Sequence, residues 1–270
     1  MSENPQVAWS AYWSTQNVGA QACLPHAPLA AQALIEDCWR AFFSTVPESV
    51  EVLDLGCGAG AVARFGLRLR PDLRFTGADY ADTLPPDQPG LTFHPRIRLE
   101  ALPFDDGQFP AITSQFALEY ANRDPALAEL ARVLAPRGQA CIVAHHSDSR
   151  IVAHNRSRAL VLQAIARLFD EGLARPELSV RIAALQTQHA GQAVISEIAT
   201  AVRRGADIAL LRTRMAGELA RLTALGAAAL DRNAANQLTA AAEALGLAVH
   251  QQALSLPEEP TLAWCYTIQR

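Results

Sequence analysis

The sequence predicts an α/β protein: a mostly parallel sheet with helices on both faces and a helical insertion between the fifth and sixth strands. Three observations carry that expectation. From Val50 onward short apolar runs alternate with helical stretches, which is how successive βαβ units read. The first apolar run passes directly into glycines at alternate positions, Gly56-Cys57-Gly58-Ala59-Gly60, and then into a helical pattern. Late in the chain, a long stretch rich in Ala, Leu, Arg and Gln carries no strand signal, too much for one crossover helix.

Taken in order, Val50 to Leu55 reads as a buried first strand, followed by the glycine turn and a helix over about residues 60–70. Leu73 to Ala78 is the second strand, Leu91 to Leu99 a weaker third interrupted by Pro95, and Ala111 to Phe116 the fourth. Asp124-Pro125 can supply an N-cap and a first-turn proline to a helix ending before Pro136-Arg137-Gly138. Gln139 to Ala144 is the fifth strand. Several helices follow, broken at Pro176 and at lone glycines, the last running from about Asp231 to Leu245 and stopping at Gly246. Ala248 to Leu256 and Leu262 to Ile268 are the final pair of strands. The expected organisation is an N-terminal helical or lid segment over residues 1–49, a core over 50–149, a helical cap over 150–230, and the closing helix and strands over 231–270.

With 270 residues, half of them hydrophobic, the chain has enough apolar material for a substantial core, which excludes wholesale disorder. The balance of 23 basic to 27 acidic residues argues against a globally basic nucleic-acid binder. No apolar run is long enough to span a membrane, and the opening Met1-Ser2-Glu3-Asn4-Pro5 lacks a leader pattern, so the expected location is cytoplasmic. Cys23, Cys38, Cys57, Cys141 and Cys265 are odd in number and scattered; they read as reduced thiols, with neither a disulfide framework nor a metal site. Every basic residue is arginine. Arg150 to Arg214 holds ten arginines against five acids, either an anion-attracting surface or a solvated helix face.

The glycine loop is the most informative segment. Glycine is needed where the backbone turns sharply and where a ligand lies on the main chain. Gly56, Gly58 and Ala61 also fit a dinucleotide fingerprint, with Asp79 near the distance of a ribose acid. Asp54 separates the two possibilities. A carboxylate two residues before the first glycine would repel a pyrophosphate, whereas a ligand carrying a sulfonium and an amino group there would be attracted. Asp79 ends the second strand, where its two oxygens can accept from both hydroxyls of a ribose; the alternative is a helix N-cap.

At this point the chain resembles a class I S-adenosylmethionine-dependent methyltransferase of the small-molecule type found in quinone and natural-product biosynthesis. The resemblance rests on Val52–Gly60, on Gly77–Asp79, on Leu102-Pro103-Phe104 leading to Ser114–Glu119, and on Leu130–Gly138. It implies a Rossmann-like, seven-stranded sheet with an antiparallel last strand, with S-adenosylmethionine as donor and S-adenosylhomocysteine as product. By position, Asp54, Gly56, Gly58 and Gly60 resemble the methionine-end and backbone-contact residues. Asp79 resembles the ribose acid, Tyr80 lies beside the adenine, Ala101 and Leu102 flank it, and Gln115 and Phe116 lie beneath the donor. Arg98 stands where many relatives have an aspartate that accepts from the adenine amino group, and Pro110 where they usually have aspartate. Glu100 is near but would point elsewhere on an extended chain.

The acceptor is expected over the ends of the fourth and fifth strands, under the cap, as a small organic molecule with an anionic one among the candidates. Glu119, Tyr120, His145 and His146 are the candidate catalytic groups. Adjacent strand residues point to opposite faces, so at most one of the two histidines should face the acceptor; the plain alternative is a loop histidine bonded to backbone. His154 could join them as a metal site on paper, but no spacing requires it. The aromatic segment Trp9 to Asn17 reads either as a lid or as a helix stapled to the sheet by Trp9 and Trp13. Three other functions remain open: RNA or protein methylation, a donor-binding regulator without turnover, and a nicotinamide oxidoreductase.

Overall fold

A computed structural model of the chain describes residues 29–270; the Trp9–Asn17 segment and Cys23 lie outside the described residues. Seven strands form one sheet: β1 (Glu51–Leu55), β2 (Arg74–Ala78), β3 (Leu91–His94), β4 (Phe109–Gln115), β5 (Leu134–His145), β6 (Ala248–Leu254) and β7 (Ala263–Gln269). Their spatial order is β3-β2-β1-β4-β5-β7-β6. β7 alone runs antiparallel to its neighbours, against both β5 and β6. The Rossmann-like sheet with an antiparallel last strand is therefore present.

The central strands β1, β2, β4, β5 and β7 are largely apolar because both faces of the sheet are covered there. Val52, Phe75, Ala111, Val143 and Cys265 belong to one core, and Leu53, Ala78, Ile112, Ile142 and Tyr266 to the other. Over the first face pack α1 (Leu29–Thr45) and α2 (Ala61–Leu69). The buried residues of α1, Ala31, Ile35, Trp39, Phe42 and Phe43, fall on one helical stripe. The second face is covered by α3 (Arg123–Val133) and, later in the chain, a helix over Arg232–Ala244, through Leu127, Leu130, Ala235 and Leu238.

Four helices lie between β5 and that last helix: α4 (Arg150–Asp170), α5 (Arg175–Ala184), α6 (Ala193–Arg203) and α7 (Ile208–Ala228), with Arg232–Ala244 as α8. They enclose a core of their own, including Val161, Ile165, Ile182, Ile195, Val202 and Leu222. Side-chain caps start three of these helices: Ser149 accepts from the Val152 amide, Asp207 from Ala209 and Leu210, and Asp231 from Ala234. The insertion returns to the sheet at Leu230, whose backbone exchanges hydrogen bonds with His145 and Ser147 and accepts from the Trp264 indole.

Several boundaries differ from the sequence expectation. β3 stops at His94 and not Leu99, because Pro95 and then Arg96, at φ 61°, turn the chain. The cap position of α3 is Asn122 and not Asp124, which lies in the first turn. β5 begins at Leu134, five residues earlier than expected. Its first residue pairs with Phe109, and an irregularity between Phe109 and Ala111 absorbs the turn at Pro136-Arg137-Gly138.

Candidate functional site

The order of the strands reverses between β1 and β4, since β2 and β3 lie to one side of β1 while β4 and β5 lie to the other. Their carboxyl ends splay apart there, the place where open α/β sheets bind ligands. A cavity of about 390 Å³ opens at this point, a volume of the order that takes a cofactor-sized molecule. Its wall includes Gly56, Asp79, Tyr80, Arg98, Glu100 and Phe116, with Tyr120 beyond them.

The glycine loop forms the floor. Gly56 has φ 65°, and a Cβ there would lie 2.1 Å from the Cβ of Ala117, so only glycine admits the turn after β4 at this distance. Gly60, at φ 78°, opens α2, and a Cβ on it would press on Phe93 at 2.9 Å and Leu91 at 3.0 Å. Gly58 donates its amide to Asp79 Oδ2 at 2.8 Å, and the amide of Ala81 donates to Asp79 Oδ1 at 2.9 Å. The carboxylate is thus held rigidly by backbone while each oxygen keeps a further lone pair. Burial raises the Asp79 carboxyl above its ordinary value, against the opposing pull of these amides.

Asp54 stands deeper, outside the cavity wall. Its Oδ1 accepts from the Thr113 hydroxyl at 2.9 Å, while Oδ2 is buried without a partner. Burial pushes its carboxyl up to about 7, with Thr113 and the Ala63 amide pulling the other way and the charge of Asp79 adding to the rise. Gly58, Gly60, Ala101, Leu102 and Gln115 also lie outside the wall. Leu102 is buried in the core beneath α3, and Ala101 is exposed. Gln115 accepts at 2.6 Å from the Trp39 indole of α1.

Arg98 and Glu100 both reach the wall. The Arg98 guanidinium lies 6.0 Å over the Tyr80 ring and 3.4 Å from Glu100. The chain does not run extended through this stretch; Leu99 and Glu100 form a turn, and that turn places Glu100 in the cavity wall. Burial pushes Glu100 up, but the Asn122 amide and Arg98 outweigh it and hold the carboxyl below its usual range. Glu100 is the residue that sequence reasoning passed over, because its direction depended on a turn that only Pro95 and the glutamate itself hinted at.

The two histidines diverge, as alternation along a strand requires. His146 packs against Trp264, ring centroids 4.9 Å apart, and its Nδ1 accepts from the Asp148 amide at 3.1 Å. Burial lowers its pKa, and its accepting nitrogen is already used. His145 lies on the other face. Glu119 Oε1 accepts from the His145 backbone N–H at 2.9 Å and lies 2.7 Å from ring Nδ1. With Oε1 accepting, Nδ1 is the donor, and in the neutral form of the ring Nε2 then carries the lone pair. That Nε2 and Glu119 Oε2 are both buried without partners. Between His145 and the cavity stands Phe116, stacked on the imidazole at 4.0 Å and held at φ 54°, a conformation costly for a bulky side chain. Tyr120 meets the same imidazole edge-on at 6.1 Å.

The arginines of the insertion are largely engaged within it. Arg158 pairs with Glu218, Arg181 with Glu171 and Arg212 with Asp170, while Arg156, Arg175 and Arg203 bond to backbone or hydroxyl oxygens. Among the described residues, three thiols that the sequence scatters are brought together: Cys38, Cys141 and Cys265. His154 is not among them. No helix of the described residues is long and apolar enough to cross a membrane.

A family described as "Methyltransferase domain" matches residues 53–142, the stretch that contains the glycine loop, Asp79, Glu100, Phe116 and Glu119. No curated protein matches the chain. Among solved structures, the plantazolicin methyltransferase BpumL in complex with S-adenosylhomocysteine is similar in fold at 11% identity, covering 98% of this chain and 95% of that one, with a TM-score of 0.51. An S-adenosylmethionine-dependent methyltransferase from Mesorhizobium loti aligns at 16% identity over 86% of this chain and 97% of its own, TM-score 0.47. A methyltransferase in a complex with the Haloferax volcanii Trm112 activator aligns at 14% identity over 97% and 96%, TM-score 0.49.

Proposed function

We propose that this chain, an S-adenosylmethionine-dependent methyltransferase, acts on a small organic acceptor received between the ends of β4 and β5 and the helices α4 to α7. The observation that carries this reading is the cavity at the reversal of strand order, with Gly56, Asp79, Tyr80, Glu100 and Phe116 in one wall. The residues suit the donor. Gly56 brings backbone without a side chain to the cavity wall, where a ligand can lie on the main chain, and the unpartnered Asp54 Oδ2 favours positive charge nearby. When bound, the donor supplies an electrophilic methyl group on its sulfonium.

In this reading Asp79 accepts from the ribose hydroxyls, held for that purpose by the Gly58 and Ala81 amides. Tyr80 and Leu99 flank the adenine. Glu100 takes the role that Arg98 cannot, accepting from the adenine amino group, and Arg98 stacks on Tyr80 at the rim. Gly58 and Gly60 keep the loop tight, Leu102 and Ala101 set the chain that follows Glu100, and Gln115 anchors the end of β4 to Trp39.

Much of the rate comes from holding the acceptor in line with the methyl group and excluding water. Where the acceptor must lose a proton, His145 is the better base of the two histidines, with Glu119 orienting its ring as a carboxylate orients a catalytic imidazole. Its Nε2 reaches the cavity only when Phe116 swings aside. His146, its Nδ1 already occupied by Asp148, serves as packing against Trp264. The helices α4 to α7 form the cap, and α7 touches the Leu118–Tyr120 turn that bears Glu119.

The test is titration calorimetry with S-adenosylhomocysteine, with NADH and Asp79→Ala as controls, followed by incubation with labelled donor and separate small-molecule, RNA and protein fractions. Micromolar-range binding lost in the variant, no NADH binding, and label in the small-molecule fraction are expected. Label in RNA or protein, or donor binding with no fraction labelled, would replace the acceptor reading by one of its alternatives.

A further inference from the structure

We propose that Cys38, Cys141 and Cys265 form a binding site for one soft, thiophilic d10 cation, which fastens α1 to the sheet. Cys38 lies on α1, Cys141 in the middle of β5 and Cys265 on β7. Cys265 pairs with Val143, two residues along β5 from Cys141, and both side chains lie in the core on the α1 side of the sheet. The three sulfurs approach pairwise: Cys38 to Cys265 at 3.0 Å, and Cys141 to each of the others at 3.9 Å. Cys141 and Cys265 are 1% exposed, in the core that also holds Phe43, Val143 and Ala263.

Three donors converging from three separate elements, up to 227 residues apart in sequence, differ from ordinary buried cysteines, which sit singly as small hydrophobes. Thiolate sulfur selects monovalent copper and zinc over harder ions. A centre bonded at about 2.3 Å to each sulfur sets them roughly 3.8–4.0 Å apart, for tetrahedral or planar angles. Both Cys141 distances already have that value, so only Cys38 and Cys265 must separate, by less than an ångström. Cys38, the half-buried member on the helix, has the freedom to do so and gives the ion a way in.

Binding releases the thiol protons to solvent as the metal–sulfur bonds form, with no change of oxidation state. The consequence reaches the cavity through chain geometry. Trp39, next to Cys38 on α1, donates to Gln115, which immediately precedes Phe116.

The experiment is anaerobic titration of the reduced, full-length protein with Cu(I) against a chromophoric competing chelator, and separately with Zn(II). It requires neither donor nor acceptor, so it succeeds or fails independently of the methyltransferase reading. One ion per chain, with a sulfur-to-metal charge-transfer band for Cu(I) and a raised Tm, is the expected result. Cys38→Ser, at the most accessible position, should weaken binding by more than the roughly 10–100-fold that loss of a supporting group costs. Cys57→Ser, which alters a thiol outside the cluster, should leave the stoichiometry at one. Failure of the folded, reduced wild-type protein to bind either ion, or binding that Cys38→Ser and Cys265→Ser leave unchanged, would overturn the proposal.

Discussion

Asp54 shows at single-residue scale how a buried carboxyl is kept at the expense of stability. Its carboxyl rises from the ordinary carboxylate value to about 7 on burial. Between pH 4 and pH 7 the folded chain therefore holds a proton that the unfolded chain has released, and stability falls as pH rises through that window. The full loss above pH 7 is about 4 kcal/mol at 1.36 kcal/mol per unit. Asp54→Asn should abolish this slope: denaturant midpoints of the variant and the parent should converge near pH 4 and diverge, with the variant more stable, towards pH 8. On the proposed reading of the site, the same variant should bind the donor more weakly, since the charge that is costly in the free protein would attract a sulfonium. Gly56→Ala tests the floor of the cavity. A methyl group 2.1 Å from Ala117 Cβ, on a backbone at φ 65°, should cost about 2–4 kcal/mol by overpacking and backbone strain together. Thermal melts and binding of S-adenosylhomocysteine would read both effects. Asp54 and Asp79 were legible as site candidates because strand–glycine-turn–helix fixes where a strand-end carboxylate sits. Glu100 was not, because its direction depends on how Pro95 and Arg96 end β3, and that is settled by packing of the following turn.

Among the elements, the contrast lies between the strands and the insertion. Strands β1, β2 and β4 were readable to within a residue or two, since a strand covered on both faces must be apolar throughout. β5 was longer than its apolar run because parallel pairing with β4 continues past the Pro136-Arg137-Gly138 irregularity. The helices α4 to α7 had readable composition but unreadable arrangement. They bury Val161, Ile165, Ile182, Ile195 and Leu222 against one another and not against the sheet, so no strand pattern constrains them. Ile195→Ala, at a fully buried position in that core, should destabilise by about 2–5 kcal/mol. Because the core is separate, proteolysis of the variant should cut first within residues 150–230 while the sheet stays protected.

Over the whole molecule, the distribution of charge decides what kind of acceptor is plausible. Ten arginines against five acids between Arg150 and Arg214 read either as an anion-attracting surface or as a solvated helix face, and the fold directs most of them to neighbouring carboxylates, carbonyls and hydroxyls. Turnover of a small acceptor should then change by no more than about threefold between 50 and 200 mM salt, whereas a nucleic acid held through several phosphates would lose orders of magnitude over the same range. Steady-state kinetics at the two salt concentrations distinguish the cases. The sequence alone determined the α/β class, the glycine turn and the acids at the ends of β1 and β2, because each depends on hydrophobic period and local backbone demands, while the Rossmann-like sheet was implied by the family resemblance. Only the tertiary structure decided which histidine keeps a free nitrogen, that Phe116 stands between it and the cavity, that Glu100 reaches the wall and that three distant thiols meet. Those outcomes depend on side chains from separate elements arriving at one point, and the physical rules of neighbouring residues do not contain that information.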